Sequence, residues 1–130
     1  MAVYLDSSAF VKLVTSEPES RALRSLLARR RARHISSAIL RTEVLRAVRH
    51  GGPDVLANTR SALKRIDLVA VTDGIFEAAG TLEPRILRTV DAIHLATALA
   101  LGDDLDAVVT YDARMAEGAR LLGLEAVSPG

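Results

Sequence analysis

Val3-Tyr4-Leu5-Asp6 near the start of the chain and Val108-Val109-Thr110-Tyr111-Asp112 near its end share one pattern: a short apolar run leads to an aspartate. Runs of this length and composition predict buried β-strands. In open parallel sheets, ligands bind at the carboxyl ends of the strands. The two segments therefore predict that Asp6 and Asp112 lie at a ligand-binding edge of a sheet.

Turn residues and hydrophobic periodicity divide the rest of the chain into alternating strands and helices. This alternation predicts an α/β fold, a three-layer α/β/α sandwich around a five-stranded, mainly parallel sheet. We expect residues 1–130 to form one domain, because no linker or repeat interrupts the pattern. Helix starts are predicted at a capping box over residues 16–19, at the N-caps Ser37, Asp54, Thr72 and Asp112, and near Val90.

The composition is that of an ordinary globular protein, with 49% hydrophobic and 25% charged residues. The absence of cysteine excludes a disulfide framework, a thiolate metal site and a cysteine nucleophile. The chain starts without a signal-like leader and contains no apolar run of about 18 residues. We therefore expect a cytoplasmic protein that has no membrane partner.

Charge is distributed unevenly. Residues 21–65 contain eleven arginines and one lysine against two acids, whereas residues 66–130 contain four arginines against eleven acids. A basic region of this kind favours binding to a polyanion. Arg29, Arg30 and Arg31 form the densest run and are the candidate nucleic-acid contacts; the alternative is that they only solvate an exposed helix face.

Three acids occupy positions near strand ends or helix starts. Asp6 and Asp112 follow strands directly, and Asp91 lies in the first turn of a long apolar helix. Each has a structural alternative, because Asp6 and Asp112 could cap helices and Asp91 could complement a helix dipole.

Glu43 is harder to explain structurally. It lies three residues after Leu40 and four before Ala47, on the apolar stripe of its helix, away from the arginines. A buried carboxylate at this position needs a cationic partner or a water-filled cleft, because burial disfavours the charged form. An internal salt bridge to an arginine is the alternative.

If Asp6, Glu43, Asp91 and Asp112 converge, their mutual repulsion requires a cation. An all-oxygen ligand set without cysteine favours Mg²⁺ or Mn²⁺ over zinc. Such an ion activates water and neutralises a phosphodiester. The acids and the basic region together therefore predict metal-assisted phosphodiester hydrolysis.

At these residues the chain resembles the PIN-domain ribonucleases, specifically the VapC-type toxins of bacterial toxin–antitoxin pairs. Each matching segment is weakly specific alone, but the four occur together, in order, over nearly the whole chain. They are Val3–Ala9, Ser37–Val44, Val90–Ala98 and Val109–Asp112.

The resemblance implies an Mg²⁺-dependent endoribonuclease, with Mn²⁺ able to substitute, that cleaves structured RNA of the tRNA or rRNA class. It implies that Asp6 and Asp91 bind metal directly, and that Glu43 and Asp112 hold metal, water or a second ion. Ser8 and Thr110 match supporting hydroxyl positions. A homodimer and inhibition by a cognate VapB-like antitoxin are further implications.

Other classes of protein fit less well. A receiver-like signalling domain needs an acidic pair after the first strand and a lysine after a late strand, but the only lysines are Lys12 and Lys64. A haloacid-dehalogenase-type phosphatase needs a second aspartate at position 8, which is Ser8. A PIN-like domain that binds RNA or protein without cleavage stays open as the alternative. His94, one turn after Asp91, is interpreted as a packing residue.

Overall fold

The structure, a computed structural model, describes residues 1–130. Short strands alternate with helices along the chain, as the turn signals and periodicity predict. The strands are β1 (Ala2–Leu5), β2 (Arg33–Ser37), β3 (Asp67–Val69), β4 (Leu105–Val109) and β5 (Ala126–Val127). The helices are α1 (Ser7–Val14), α2 (Ser20–Arg30), α3 (Leu40–Val48), α4 (Pro53–Leu63), α5 (Asp73–Gly80), α6 (Thr89–Ala100) and α7 (Ala113–Leu121).

All five strands pair in parallel, in the spatial order β3-β2-β1-β4-β5. The chain adds β2 and β3 on one side of β1 and then crosses to add β4 and β5 on the other. This reversal creates a topological switch point between β1 and β4, the place where open α/β sheets bind ligands. Asp6 directly follows β1 and Asp112 lies three residues after β4, so the two acids flank the switch point.

Helices cover both faces of the sheet, which confirms the predicted three-layer arrangement. The central strand β1 is fully buried and alternates between the layers. Val3 and Leu5 pack in a cluster with residues of α1 to α4. Tyr4 packs on the opposite face with Ala98 of α6. With few aromatic residues available, the core consists almost entirely of leucine, valine, isoleucine and alanine.

The capping box predicted over residues 16–19 is wrong. Helix α2 begins at Ser20, and its N-cap Glu19 makes no side-chain capping bond. Glu17 and Glu19 instead each accept a hydrogen bond from Lys12 Nζ at 3.1 Å. The glutamates are therefore held by a lysine of the preceding helix, a contact that the capping-box pattern does not include.

Two other predicted N-caps are displaced. Ser37 ends β2, and α3 begins only at Leu40. Asp54 lies in the first turn of α4, whose N-cap is Gly52 at φ 94°, a conformation that favours glycine. By contrast, Thr72 caps α5 as predicted, through a bond from the Ile75 N–H to its hydroxyl at 3.2 Å. No helix has the length and apolar character needed to cross a membrane.

Candidate active site

Asp6 lies at the carboxyl end of the central strand and is 3% exposed. Its Oδ1 accepts hydrogen bonds from Ser8 Oγ at 2.7 Å and from the Ala9 N–H at 3.0 Å, so Asp6 caps α1. Its Oδ2 accepts from Thr110 Oγ1 at 2.5 Å. The capping alternative for Asp6 is therefore realised, but the same carboxylate is also fixed by two hydroxyl groups, one from the first turn of α1 and one from the residue that follows β4.

Asp6 has no lysine or arginine as a partner. Burial raises the pKa of the Asp6 carboxyl, and the hydrogen bonds from Thr110, Ser8 and the Ala9 N–H only partly oppose that effect. The neutral donors fix the orientation of the Asp6 carboxylate but do not neutralise its negative charge. The position is electrostatically suited to a cation.

Thr110 connects Asp6 to the loop that carries Asp112. The Thr110 hydroxyl donates to Asp6 and accepts a bond from the Asp112 N–H at 3.1 Å. Asp112 Oδ1 accepts from the N–H groups of Arg114 and Met115 at 2.9 and 3.2 Å, which caps α7. Its Oδ2 makes no hydrogen bond within the protein, so one oxygen of this half-buried carboxylate stays available.

Glu43 projects from the first turn of α3 and is half-buried, whereas the neighbouring Arg41 and Arg46 are exposed. No arginine contacts it, so the predicted salt-bridge alternative is wrong. Its Oε2 accepts from Ser7 Oγ at 3.0 Å, and its Oε1 lies 2.5 Å from His94 Nε2. Ser7 is adjacent to Asp6, so these bonds bring the Glu43 carboxylate to the same end of the sheet.

His94 is not merely a packing residue. It is 1% exposed, and its second ring nitrogen, Nδ1, lies 2.6 Å from the Tyr4 hydroxyl. Sequence reasoning missed this residue and also missed Ser7 and Tyr4. The available signal was that a buried imidazole on an otherwise apolar helix needs partners for its nitrogens.

Asp91 is half-buried in the first turn of α6. Its Oδ2 accepts from the Arg88 N–H at 3.1 Å, and its Oδ1 has no partner within the protein. No hydrogen bond connects Asp91 to the other three acids. Its place near the site follows from its position one helical turn before His94, whose ring reaches Glu43.

The structure thus connects Asp6 to Asp112 through the Thr110 hydroxyl and holds Glu43 against Ser7, the residue after Asp6. Asp91 lies on α6 one turn before His94, the residue that contacts Glu43. It contains no group of three Asp, Glu or His side chains arranged to hold one metal ion together. Protein ligands alone therefore do not complete a metal site in this arrangement of side chains.

A cleft of about 450 Å³ opens beside Glu43. Ser7, Ser8, Lys12 and Tyr111 line it together with Glu43. The Lys12 ammonium lies 4.8 Å from the centroid of the Tyr111 ring. Glu43 therefore has protein on one side and an open, partly polar space on the other.

The three candidate nucleic-acid arginines lie elsewhere. Arg29 and Arg30 end α2 and Arg31 follows, next to the amino end of β2. Arg30 pairs with Asp106 at 2.9 Å and with Glu125 at 3.5 Å, whereas Arg29 and Arg31 are exposed. They are separated from the acids by the length of the sheet, roughly 15 Å for a five-residue strand. Their contact with RNA stays a prediction.

Comparison with known proteins defines the class of this fold. The family model of the PIN domain matches residues 3–121. Ribonuclease VapC46 of Mycobacterium tuberculosis is 49% identical over 128 residues, and the match covers 98% of each chain. Ribonuclease VapC47 of the same species is 38% identical, with 98% of this chain and 97% of the relative covered. The chain belongs to the PIN-domain family and, by its similarity to these relatives, to the VapC ribonucleases.

Solved structures share the fold at low sequence identity. The crystal structure of Mycobacterium tuberculosis VapC20, described as a sarcin-ricin-loop-cleaving toxin, has a TM-score of 0.76 at 18% identity and covers 98% of this chain and 99% of its own. VapBC2 from Rickettsia felis, bound to a DNA fragment of its promoter, has a TM-score of 0.77 at 14% identity and covers both chains completely. These matches support the fold described above.

Proposed function

We propose that this protein is an Mg²⁺-dependent endoribonuclease that cleaves structured RNA of the tRNA or rRNA class, as the toxin of a toxin–antitoxin pair. One observation carries the proposal: the Asp6 carboxylate is fixed at the switch point of the sheet by neutral donors and has no lysine or arginine partner, while Glu43 contacts the adjacent Ser7. The similarity to relatives named ribonuclease VapC supports the same reaction.

The four acids of the site are chemically suited to bind a hydrated divalent ion. Mg²⁺ keeps several waters and commonly uses only one or two carboxylates, so a site without three converging side chains is compatible with it. Asp6 and Asp91 would bind the ion, and Glu43 and Asp112 would bind it, its waters or a second ion. The donors are all hard oxygens, so Mn²⁺ is expected to substitute. When bound, the ion activates water and neutralises charge on the phosphodiester.

The protein's own groups have separable tasks. Ser8 and Thr110 hold the two oxygens of Asp6 in one orientation. Glu43 faces the cleft, where its carboxylate can accept a proton from an attacking water. Asp91 and Asp112 each keep one oxygen free of protein partners, because their other oxygen caps a helix.

An antitoxin partner belongs to the same proposal. Two similar structures are described as a toxin–antitoxin complex from Klebsiella pneumoniae and as VapBC2 from Rickettsia felis. By analogy, we propose that a VapB-like protein inhibits this chain by covering the acidic site, and that the chain forms a homodimer.

The test is cleavage of purified tRNA and rRNA with Mg²⁺, with Mn²⁺ and with excess chelator. Asp6→Asn keeps the capping group of α1, because asparagine caps helices as well as aspartate. It should nevertheless reduce cleavage by at least about 100-fold, since metal-ion catalysis contributes several kcal/mol. Asp103→Asn, an exposed acid outside the site, is the matched control and should cleave normally.

Two results contradict the proposal. One is cleavage that persists in chelator, and the other is an Asp6→Asn protein that cleaves as fast as the wild type. RNA binding without cleavage under any metal condition would favour the non-cleaving PIN-like binding domain instead.

A further inference from the structure

Two buried side chains, Tyr4 and His94, form a hydrogen-bonded series that ends at Glu43. The His94 ring on α6 is oriented edge-on to the Tyr4 ring, with centroids 5.7 Å apart and planes at 80°. Its Nδ1 contacts the Tyr4 hydroxyl and its Nε2 contacts Glu43 Oε1. Tyr4 is completely buried and His94 nearly so, whereas Glu43 reaches the cleft. The contacts therefore connect the core of the sheet to the wall of the site.

The chemistry of the partners fixes the tautomer of the imidazole. An ionised carboxylate only accepts hydrogen bonds, so His94 Nε2 must bear the proton that faces Glu43. In the neutral ring Nδ1 is then an acceptor, and the Tyr4 O–H is its donor. Burial raises the pKa of the Tyr4 phenol, so that this proton is retained.

Glu43 is restrained at both oxygens. Ser7 donates to Oε2 from α1, and His94 donates to Oε1 from α6. A glutamate on a helix otherwise samples several rotamers, and the two donors select one of them. The hydroxyls that neighbour Tyr4 are occupied elsewhere: Ser36 donates to the Leu5 carbonyl and Thr97 to that of Ile93.

We propose that His94 is a positioning residue for the nuclease reaction: oriented by Tyr4, it holds the Glu43 carboxylate in the rotamer that faces the cleft. This role rests on the proposed function of Glu43 in RNA cleavage. His94 contacts neither the cleft nor the surface, so it acts only through Glu43. Residues that orient the ligands or bases of a metal site in this way typically affect affinity or activity by about 10- to 100-fold.

The test uses two amide variants that occupy the same cavity. Counted from Cα, the amide nitrogen of His94→Gln replaces Nε2 and can still donate to Glu43. The amide nitrogen of His94→Asn replaces Nδ1, faces Tyr4 and cannot reach Glu43. We expect kcat for RNA cleavage to fall by about 10- to 100-fold in His94→Asn and to recover to within a few-fold of the wild type in His94→Gln. KM should change little in both, because His94 does not contact the cleft.

A second measurement does not depend on activity. Long-range ¹H–¹⁵N spectra of the histidine ring in metal-free protein should show the Nε2–H tautomer in the wild type. In Tyr4→Phe the donor to Nδ1 is removed, so the Nδ1 resonance should shift toward that of an acceptor nitrogen without a hydrogen bond, while Nε2 keeps its proton because Glu43 still accepts it. Urea unfolding of the two amide variants, which remove the same ring, separates a general loss of stability from a loss of positioning.

Equal kcat values for His94→Asn and His94→Gln would overturn the positioning role, as would a neutral ring in the wild type with its proton on Nδ1, because Nε2 could not then donate to Glu43. If the wild type cleaves RNA and both variants match it, only this inference fails. If the wild type does not cleave RNA at all, the proposed function fails, and the tautomer spectrum alone decides the hydrogen-bond assignment.

Discussion

Acidic side chains have different partners at the two ends of the parallel sheet. At the amino end, Arg30 pairs with Asp106 and Glu125, and Arg33 lies 3.9 Å from Asp67. At the carboxyl end, no lysine or arginine pairs with Asp6, Glu43, Asp91 or Asp112. Neutral hydroxyls, backbone N–H groups and one imidazole hold these acids instead. Asp106, Glu125 and Asp67 at the amino end are thus paired with arginines, whereas the four acids at the carboxyl end are held without any lysine or arginine.

This difference explains how a chain with a net charge of +1 can have a strongly acidic site. The arginines are numerous but lie away from the switch point, so they do not compete for the carboxylates. A buried carboxylate without a lysine or arginine partner, such as Asp6, is costly, and groups of this kind concentrate at functional sites. Substitutions at the two ends of the sheet should therefore affect stability and RNA cleavage differently.

Thr110→Val should cause the largest loss of stability. It removes the hydroxyl that donates to Asp6 and accepts from the Asp112 N–H, and it preserves the shape of the side chain. A buried polar group left without its partner costs about 1–3 kcal/mol, so the free energy of unfolding should fall by that amount and RNA cleavage should fall with it. Urea denaturation and a cleavage assay measure the two effects.

Thr59→Val is the matched control for Thr110→Val. Thr59 is equally buried but its hydroxyl only donates to the Val55 carbonyl within its own helix. Such a bond contributes little to helix stability, so the control should change neither property appreciably. Similar losses in both variants would mean that the hydroxyl network at the carboxyl end has no special role.

Replacement of Arg29 and Arg31 by alanine addresses RNA binding at the amino end. If these exposed side chains contact phosphates, RNA affinity should fall and the slope of log affinity against log salt should decrease by about 0.7–0.9 for each lost contact. The rate of cleavage of saturating RNA should not change, because the arginines are far from the acids. A salt slope equal to that of the wild type would assign both residues to solvation of the helix.

Glu17→Gln should have the smallest effect. Hydrogen bonds from Thr15 and Lys12 hold the pKa of Glu17 below its usual range. A lowered carboxyl pKa in the folded state stabilises the protein above the unfolded-state pKa, and this contribution is lost as pH falls through the folded-state value. The wild type should therefore lose slightly more stability than Glu17→Gln below about pH 4.

The difference for Glu17→Gln should not exceed about 0.5 kcal/mol, because the Glu17 side chain is 36% exposed and solvent screens its interaction with Lys12. Urea unfolding of both proteins at pH 3 and pH 7 measures it. A larger loss of stability in the variant than in the wild type on acidification would have the wrong sign for this explanation.

Much of the fold could be predicted because it depends on local patterns. Apolar runs that end at Asp6 and before Asp112 define two neighbouring strands, and the alternation of strands and helices defines the parallel sheet. The helix start at residues 16–19 could not be predicted, since Lys12 recruits Glu17 and Glu19. The capping-box pattern considers only residues 16–19 and so does not include the competing lysine at position 12.

The site could be predicted only in part, for the same reason. Each acid can be recognised in the sequence, either because it follows a strand or begins a helix, or because it lies on the apolar face of a helix. The hydrogen bonds of the site cannot be recognised in the same way, because His94 and Glu43 are 51 residues apart and Tyr4 and His94 are 90 residues apart. Ser7 and Tyr4 have ordinary local roles until the fold brings them beside Glu43 and His94.

Calorimetric titration with Mg²⁺ tests most directly whether the acids at the carboxyl end await a cation. It should be performed on the wild type, on Asp6→Asn at the carboxyl end, and on Asp106→Asn at the amino end. The account predicts that the wild type and Asp106→Asn bind Mg²⁺ with the same affinity and that Asp6→Asn binds it far more weakly. Equal binding by all three proteins, or a loss confined to Asp106→Asn, would contradict it.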